Sequence, residues 1–147
     1  IAPFYFDDKK KSVCILSAAS ILKILLPERQ INQIIYNSYE KMLDDLNSKN
    51  WILSYINWEL SLIKELGYEV DFLNFNGYGS FKTFVEINDK TFKVPKIFLN
   101  NNIKDLKNYD IKEALNFNKN LFFENFISPN KLRFPLFRNV LENYYNE

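Results

Sequence analysis

The 147-residue sequence contains no histidine, one cysteine and only three glycines. Without histidine, the commonest general base and the commonest zinc ligand are both missing, which excludes catalytic triads of the usual kind. The single cysteine, Cys14, cannot form an internal disulfide, which favours a reducing compartment such as the cytoplasm. The Gly77-Tyr78-Gly79 turn lacks the strand, the glycine spacing and the lysine of a phosphate-binding loop. The sequence therefore predicts no catalytic residue, no cofactor and no enzyme class.

Charge and hydropathy indicate a globular protein with little attraction for nucleic acid or membranes. The 19 basic and 18 acidic residues leave a formal net charge of +1, a weak electrostatic footprint for holding nucleic acid alone. The longest near-continuous apolar stretch, from Val13 to Leu26, stops at Pro27, short of the roughly 20 residues that cross a bilayer. With 47% hydrophobic residues, the chain can still build a core. We expect one soluble, cytoplasmic domain over residues 1–147.

Apolar side chains recur at helical spacing in five segments of the chain. The first predicted helix, over about 12–26 with Ser12 as its N-cap, has almost no polar face and should be the most buried one. Further helices are predicted over about 30–47, 51–66, 110–128 and 135–145. Gly67 is placed as a left-handed C-cap of the third helix, and Asp110 as the N-cap of the fourth.

Between the third and fourth helices the apolar period changes to that of strands. Residues 84–87 and 91–94 read as two strands around an Asn88-Asp89-Lys90 turn, within a β-hairpin module at about 70–99. We therefore predict a mostly α fold, a helical bundle with a small β-hairpin insertion.

Five segments of the sequence match a known family in their order and spacing. They are Leu16-Ser17-Ala18-Ala19-Ser20-Ile21-Leu22, Leu25-Leu26-Pro27-Glu28-Arg29, Trp58-Glu59-Leu60-Ser61-Leu62-Ile63-Lys64-Glu65-Leu66-Gly67-Tyr68-Glu69-Val70-Asp71-Phe72, Leu121-Phe122-Phe123-Glu124 and Phe134-Pro135-Leu136-Phe137-Arg138. Together they resemble the C-terminal part of the RecO family of bacterial recombinational-repair mediators. The resemblance covers nearly the whole chain.

The resemblance implies a role without turnover. RecO-like proteins bind single-stranded DNA and the tail of the single-strand-binding protein, contact the partner RecR, anneal strands and help to load the recombinase. They generally start with an OB-fold barrel, for which this sequence has no segment, and it begins at Ile1 without an initiator methionine. We expect a fragment without that N-terminal OB-fold. Many members carry a zinc knuckle where residues 73–102 here have no cysteine, so we predict no metal.

Two candidate surfaces follow from the implied partners. An acidic, hydrophobic-ended peptide tail needs an apolar groove edged with cations. Such an edge is predicted near the C-terminus, at Lys131, Arg133, Phe134, Phe137 and Arg138. The simpler interpretation, which we favour, is that Phe134 and Leu136 belong to the core and the cations form a solvated rim.

Lysines and aromatic residues provide the candidates for DNA contact. The densest positive run, Lys9-Lys10-Lys11, could contact DNA phosphates, although a solvated, partly frayed segment is the simpler interpretation. Trp51, Tyr55 and Trp58 could stack on bases, but their position among apolar helix residues favours core packing.

Two buried features complete the predictions from the residues. Arg29 and Glu59 are charged residues in or beside apolar segments, and they could pair across two helices. Cys14 should be a core residue with a raised thiol pKa.

The leading hypothesis is thus a non-enzymatic repair mediator. The alternative is a helical scaffold that binds a peptide or protein and never touches nucleic acid. Salt-dependent binding of single-stranded DNA separates the two.

Overall fold

Six α-helices and one β-hairpin form the part of the chain that the computed structural model describes, residues 8–26, 32–72, 82–99 and 106–146. The helices are α1 (Lys9–Leu25), α2 (Gln33–Asp45), α3 (Trp51–Glu65), α4 (Lys96–Leu99), α5 (Asn108–Phe122) and α6 (Leu136–Asn143). The hairpin pairs β1 (Phe84–Ile87) with β2 (Lys90–Lys93). This architecture confirms the predicted helical bundle with a small hairpin. Arg29 and the Gly77-Tyr78-Gly79 turn lie outside the described residues.

Helix α1 begins earlier than the sequence suggested. Its N-cap is Asp8, whose Oδ1 accepts a hydrogen bond from the backbone N–H of Lys11 at 3.3 Å, so the predicted cap at Ser12 was wrong. Residues 9–11 therefore form the first helical turn and are not a frayed segment that precedes the helix. None of the described helices is both long and apolar enough to span a membrane.

The prediction that the first helix is the most buried was also wrong. Four residues of α1 are buried, whereas α3 and α5 bury seven each. Leu16, on the outer side of α1, stays 44% exposed. An apolar sequence on every side of a helix does not bring a neighbour to every side, and among the described elements α1 makes most of its backbone contacts with α6.

Local signals fixed the ends of the next two helices. The Asn32 side chain caps α2 by accepting a hydrogen bond from the backbone N–H of Ile35 at 2.8 Å. Gly67 follows α3 with a φ of 99°, as the left-handed C-cap prediction required. The backbone N–H of Tyr68 then bonds to the carbonyl of Ile63 at 3.1 Å, which closes the helix end.

The hairpin turn is one residue shorter than predicted. Asn88 and Asp89 have φ angles of 51° and 66°, both in the left-handed region that a tight two-residue hairpin turn requires. Lys90 belongs to β2 and pairs with Ile87, whereas the sequence placed it in the turn. Val85 is 6% exposed and faces the core, while Phe84 on the opposite face is 56% exposed.

The predicted fourth helix, over 110–128, is present with an altered start and end. It begins at Asn108, and Asp110 lies in its first turn, where its Oδ2 accepts a hydrogen bond from the Lys107 backbone N–H at 3.2 Å. Asp110 is thus not the N-cap itself, but its carboxylate suits the positive end of the helix dipole. After Phe122 the helix widens into a π-helical turn, Phe123–Ile127.

Candidate functional site

The largest fully buried side chain in the described part of the chain is that of Arg138, a predicted groove residue. Its Nε and Nη2 donate hydrogen bonds to the two carboxylate oxygens of Glu59 at 2.5 and 3.0 Å. Its Nη1 donates to Glu142, one helical turn along α6, at 3.1 Å. Arg138 therefore cannot contact a partner at the surface, and its assignment to the groove edge was wrong.

Helix α5 completes the polar network around Arg138. The carbonyl of Leu115 accepts a hydrogen bond from Arg138 Nη2 at 2.7 Å. Asn118 Nδ2 donates to Glu59 at 3.2 Å and to the Ile56 carbonyl at 3.1 Å. Burial is the largest single effect and lowers the pKa of Arg138, but Glu59, Tyr55 and Glu142 together outweigh it, so the pKa lies above its ordinary value. The network joins α3, α5 and α6.

Cys14 lies close to this network and behaves as a core residue. It is fully buried, and burial raises the pKa of its thiol well above the ordinary value, with the Glu59 carboxylate acting in the same direction. A thiol held in this way is a poor nucleophile, as the sequence predicted. The Ser17 and Tyr55 hydroxyls, also buried, hydrogen-bond each other at 2.7 Å between α1 and α3.

The aromatic residues of α3 pack in the core. Tyr55 is 0% and Trp58 4% exposed, and their ring centroids lie 5.7 Å apart. Tyr39 of α2 packs against Trp58 with ring centroids 6.0 Å apart. The favoured interpretation of core packing is thus confirmed for Tyr55 and Trp58, while Trp51 is half-buried.

A closed apolar depression, without space for a water molecule, lies where the C-terminal end of α1 meets the segment before α6. We call it the Phe134 depression, and its lining is entirely apolar: Ile21, Ile24, Leu25, Phe122, Ile127, Phe134 and Pro135. Lys119 Nζ lies 5.5 Å from the centroid of the Phe134 ring, a cation–π distance. Sequence reasoning missed Lys119, because its proximity to Phe134 depends on how α5 packs.

The other predicted groove residues lie at the surface near this depression. Lys131 and Arg133 are exposed in the segment that leads to Phe134, and Lys131 has a left-handed φ of 54°. Phe137 is 41% exposed, and Leu136, which the simpler interpretation placed in the core, is 73% exposed. Lys131 and Arg133 thus precede the depression along the chain, while the Arg138 guanidinium lies 5.8 Å from the centroid of the Phe134 ring.

The lysine run at the start of α1 is only partly available to a ligand. Lys10 Nζ lies 5.0 Å from the centroid of the Tyr145 ring, and Lys11 Nζ is 4.0 Å from the Asp8 carboxylate. Lys9 is exposed. Two of the three lysines thus contact groups within the protein.

Comparison with known proteins points to one family. The family model described as Recombination protein O C terminal matches residues 7–79. A DNA repair protein RecO of Wolbachia sp. subsp. Drosophila simulans is 35% identical over 69 residues, which is 46% of this chain and 29% of that protein. The RecO of Ehrlichia chaffeensis is 36% identical over 69 residues, 46% of this chain and 28% of that protein.

A longer alignment includes the C-terminal helices. The DNA repair protein RecO of Rickettsia bellii is 28% identical over 159 aligned positions, which cover 97% of this chain and 65% of that protein. The chain thus matches less than two thirds of the length of these relatives. No solved structure matches it significantly. The order of segments in the sequence, the match to residues 7–79 and the alignment along nearly the whole chain agree, and the chain belongs to the RecO family.

Proposed function

We propose that this chain serves recombinational DNA repair as a non-enzymatic mediator whose helical region binds the acidic tail of a single-strand-binding protein. The relatives it matches are named DNA repair protein RecO. In that role the chain works with a RecR-like partner in strand annealing and recombinase loading. The exposed apolar and cationic residues around the Phe134 depression are the observation that carries the tail-binding part of the proposal.

The chemistry of the depression suits such a tail. The depression itself has no space for a ring, so a terminal aromatic ring would pack beside it on the exposed Leu136 and Phe137, because burying an aromatic ring away from water is favourable. Arg133 can hold a carboxylate through two hydrogen bonds, and Lys131 and Lys119 add positive charge beside it. A peptide that ends in acidic residues and phenylalanine matches both features.

Single-stranded DNA is a weaker ligand in this proposal. The net charge is +1, and Lys10 and Lys11 contact protein groups, so few phosphates can be neutralised at once. The alternative, a scaffold that binds a peptide and no nucleic acid, shares the depression. The mediator hypothesis predicts weak, salt-dependent binding of single-stranded DNA, and the scaffold hypothesis predicts no such binding.

The test measures binding of a fluorescein-labelled peptide that ends in Asp-Asp-Phe by fluorescence anisotropy. We expect the double variant Lys131→Glu, Arg133→Glu to weaken binding at least tenfold, since it reverses both exposed charges beside the depression. The variant Lys41→Glu, Lys49→Glu reverses two exposed lysines elsewhere and should leave the affinity unchanged. A peptide without the terminal phenylalanine should bind weakly to the unaltered protein.

Two results would overturn the proposal. One is an affinity within twofold of the unaltered protein for the Lys131→Glu, Arg133→Glu variant, with an unchanged circular dichroism spectrum. The other is an equal loss in the Lys41→Glu, Lys49→Glu control, which would show a response to net charge alone.

A further inference from the structure

Among the described residues, no strand pairs with the outer edge of β1 in the β-hairpin. Within the described ranges β1 pairs with β2 alone, in an antiparallel register that places Val85 opposite Phe92 and Ile87 opposite Lys90. The backbone N–H of Val94 also bonds to the Thr83 carbonyl at 2.9 Å. Because hydrogen-bonded and non-hydrogen-bonded pairs alternate, residues 83, 85 and 87 direct their backbone groups to β2.

The residues between them direct their backbone groups the other way. Phe84 and Glu86 present their N–H and C=O groups at the outer edge of β1, and among the described residues these groups have no hydrogen-bond partner. A row of unpaired backbone groups is a template for pairing with another strand. Strand β2 differs, since its four residues include Lys90 and Lys93, and lysine is a residue that protects sheet edges.

A cleft of about 380 Å³ borders β1 and includes the edge residue Glu86 in its lining. Residues 67–71, which follow α3, form one wall, and residues 85–88 form the other, with Asn125 of the π-helical turn also in the lining. The walls meet where the Lys82 backbone N–H bonds to the Phe72 carbonyl at 2.7 Å. The volume falls within the range of clefts that bind ligands, roughly 300–1,000 Å³.

Both walls offer further polar groups to an inserted chain. The backbone N–H groups of Glu69 and Val70 make no hydrogen bond within the described ranges, and the same holds for the side-chain amide of Asn125. Val70 and Ile87 are half-buried and add apolar surface to the cleft. An extended peptide presents backbone groups on both of its edges and thus complements two polar walls.

The charges of the cleft select the peptide. Among the described residues that line it, the carboxylates are those of Glu69, Asp71 and Glu86, and the ammonium is that of Lys82. Glu69 pairs with Lys64 at 3.5 Å, whereas no described cation pairs with Glu86. A lysine or arginine in an extended peptide would supply the missing partner.

We propose that this cleft is a second interaction site, which binds an extended, basic peptide segment of a partner protein by adding it as a strand to the open edge of β1. Backbone hydrogen bonds to Phe84 and Glu86 would supply affinity, and the carboxylates would supply the preference for positive charge. The site uses no residue of the Phe134 depression and does not depend on the tail-binding proposal.

The test uses the full 147-residue chain, labelled with ¹⁵N, and the peptide acetyl-Val-Lys-Val-Lys-Val-amide. In the free protein the amides of Phe84 and Glu86 should exchange rapidly with solvent, while those of Val85 and Ile87 are protected. Addition of the peptide should shift the Phe84 and Glu86 resonances and slow their exchange at least tenfold. The Thr91 and Lys93 amides, at the opposite edge, should not change.

Two comparisons separate backbone pairing from charge attraction. The same peptide with N-methyl groups on alternate amides keeps its charge but loses donors, and it should bind at least tenfold more weakly. The variant Glu86→Lys should weaken binding of the lysine peptide at least fivefold. The matched variant Asp44→Lys makes the same charge change on an exposed residue of α2 and should have no effect.

Three results would overturn the proposal. Slow exchange of the Phe84 and Glu86 amides in the free protein would show that the edge is already paired. Equal affinity of the N-methylated peptide would show that strand addition does not occur. Resonance shifts confined to the β2 edge would place the peptide elsewhere.

Discussion

Arg138 and Glu59 are 79 positions apart in the sequence, and their buried side chains form a two-point ion pair that ties the last helix of the chain to the third. Such a pair is costly to desolvate and becomes tolerable only because the remaining donors of Arg138 reach Glu142 and the Leu115 carbonyl. The pair fixes where α6 lies. It thereby places Phe134, just before α6, beside the end of α1.

Removing the arginine should strongly destabilise the protein. Arg138→Met leaves the carboxylate of Glu59 buried without a cation, and we expect a loss of about 3–5 kcal/mol in the free energy of unfolding by urea. The exposed Arg133→Met is the matched control and should change stability by no more than about 0.5 kcal/mol. Equal effects in the two variants would contradict the burial of Arg138.

Replacing all three charged residues of the cluster should destabilise the protein less than replacing Arg138 alone. In the triple variant Glu59→Leu, Arg138→Met, Glu142→Leu no buried charge lacks a partner, so we expect stability within about 2 kcal/mol of the unaltered protein. The same urea titration measures it. If the triple variant is less stable than Arg138→Met alone, the network contributes more than mutual charge compensation.

The hydrogen bond between Ser17 and Tyr55 should respond unequally to loss of either partner. Tyr55→Phe leaves the Ser17 hydroxyl free to bond to a carbonyl of its own helix, so we expect a cost near 1 kcal/mol. Ser17→Ala leaves the buried Tyr55 hydroxyl without a local substitute, and the cost should reach about 2–3 kcal/mol. A double-mutant cycle checks that the effects are not additive.

Stability should fall at alkaline pH because of Cys14. Burial raises the thiol pKa in the folded protein, whereas the unfolded chain releases this proton near pH 8.5. The unfolded state therefore binds fewer protons above that pH, and stability drops by up to about 1.4 kcal/mol per pH unit. We expect urea titrations from pH 7 to 10 to show a steeper decline for the unaltered protein than for Cys14→Ala. An equal decline in stability with pH for both proteins would contradict a raised thiol pKa of Cys14.

Binding to single-stranded DNA should be weak and only modestly sensitive to salt. With one or two phosphates neutralised, the logarithm of the association constant should fall with the logarithm of salt with a slope of about −0.7 to −1.4. Lys9→Ala should reduce the slope, because Lys9 is the exposed member of its run. A slope steeper than about −3 would require four or more phosphates and a basic surface elsewhere. An association constant for single-stranded DNA that does not change with salt concentration would favour the peptide scaffold without a nucleic-acid role.

The candidate site could be predicted from the sequence only in part. The grouping of Lys131, Arg133 and Phe134 at one corner followed from their closeness along the chain. The sequence offered two clues to the buried network. Glu59 lies on the apolar face of α3, and Arg138 and Glu142 are four residues apart on one helix face. Neither clue names Arg138 as the partner of Glu59.

The sequence by itself determined features that depend on near neighbours in the chain. The left-handed cap at Gly67, the hairpin around Asn88 and Asp89, and the helical periods all follow from backbone sterics and short-range hydrogen bonds. Tertiary structure alone decided that α1 packs on α6, that Arg138 is buried and that no described strand pairs with the outer edge of β1. These outcomes depend on which surfaces meet across long stretches of chain, and local periodicity carries no information about that choice.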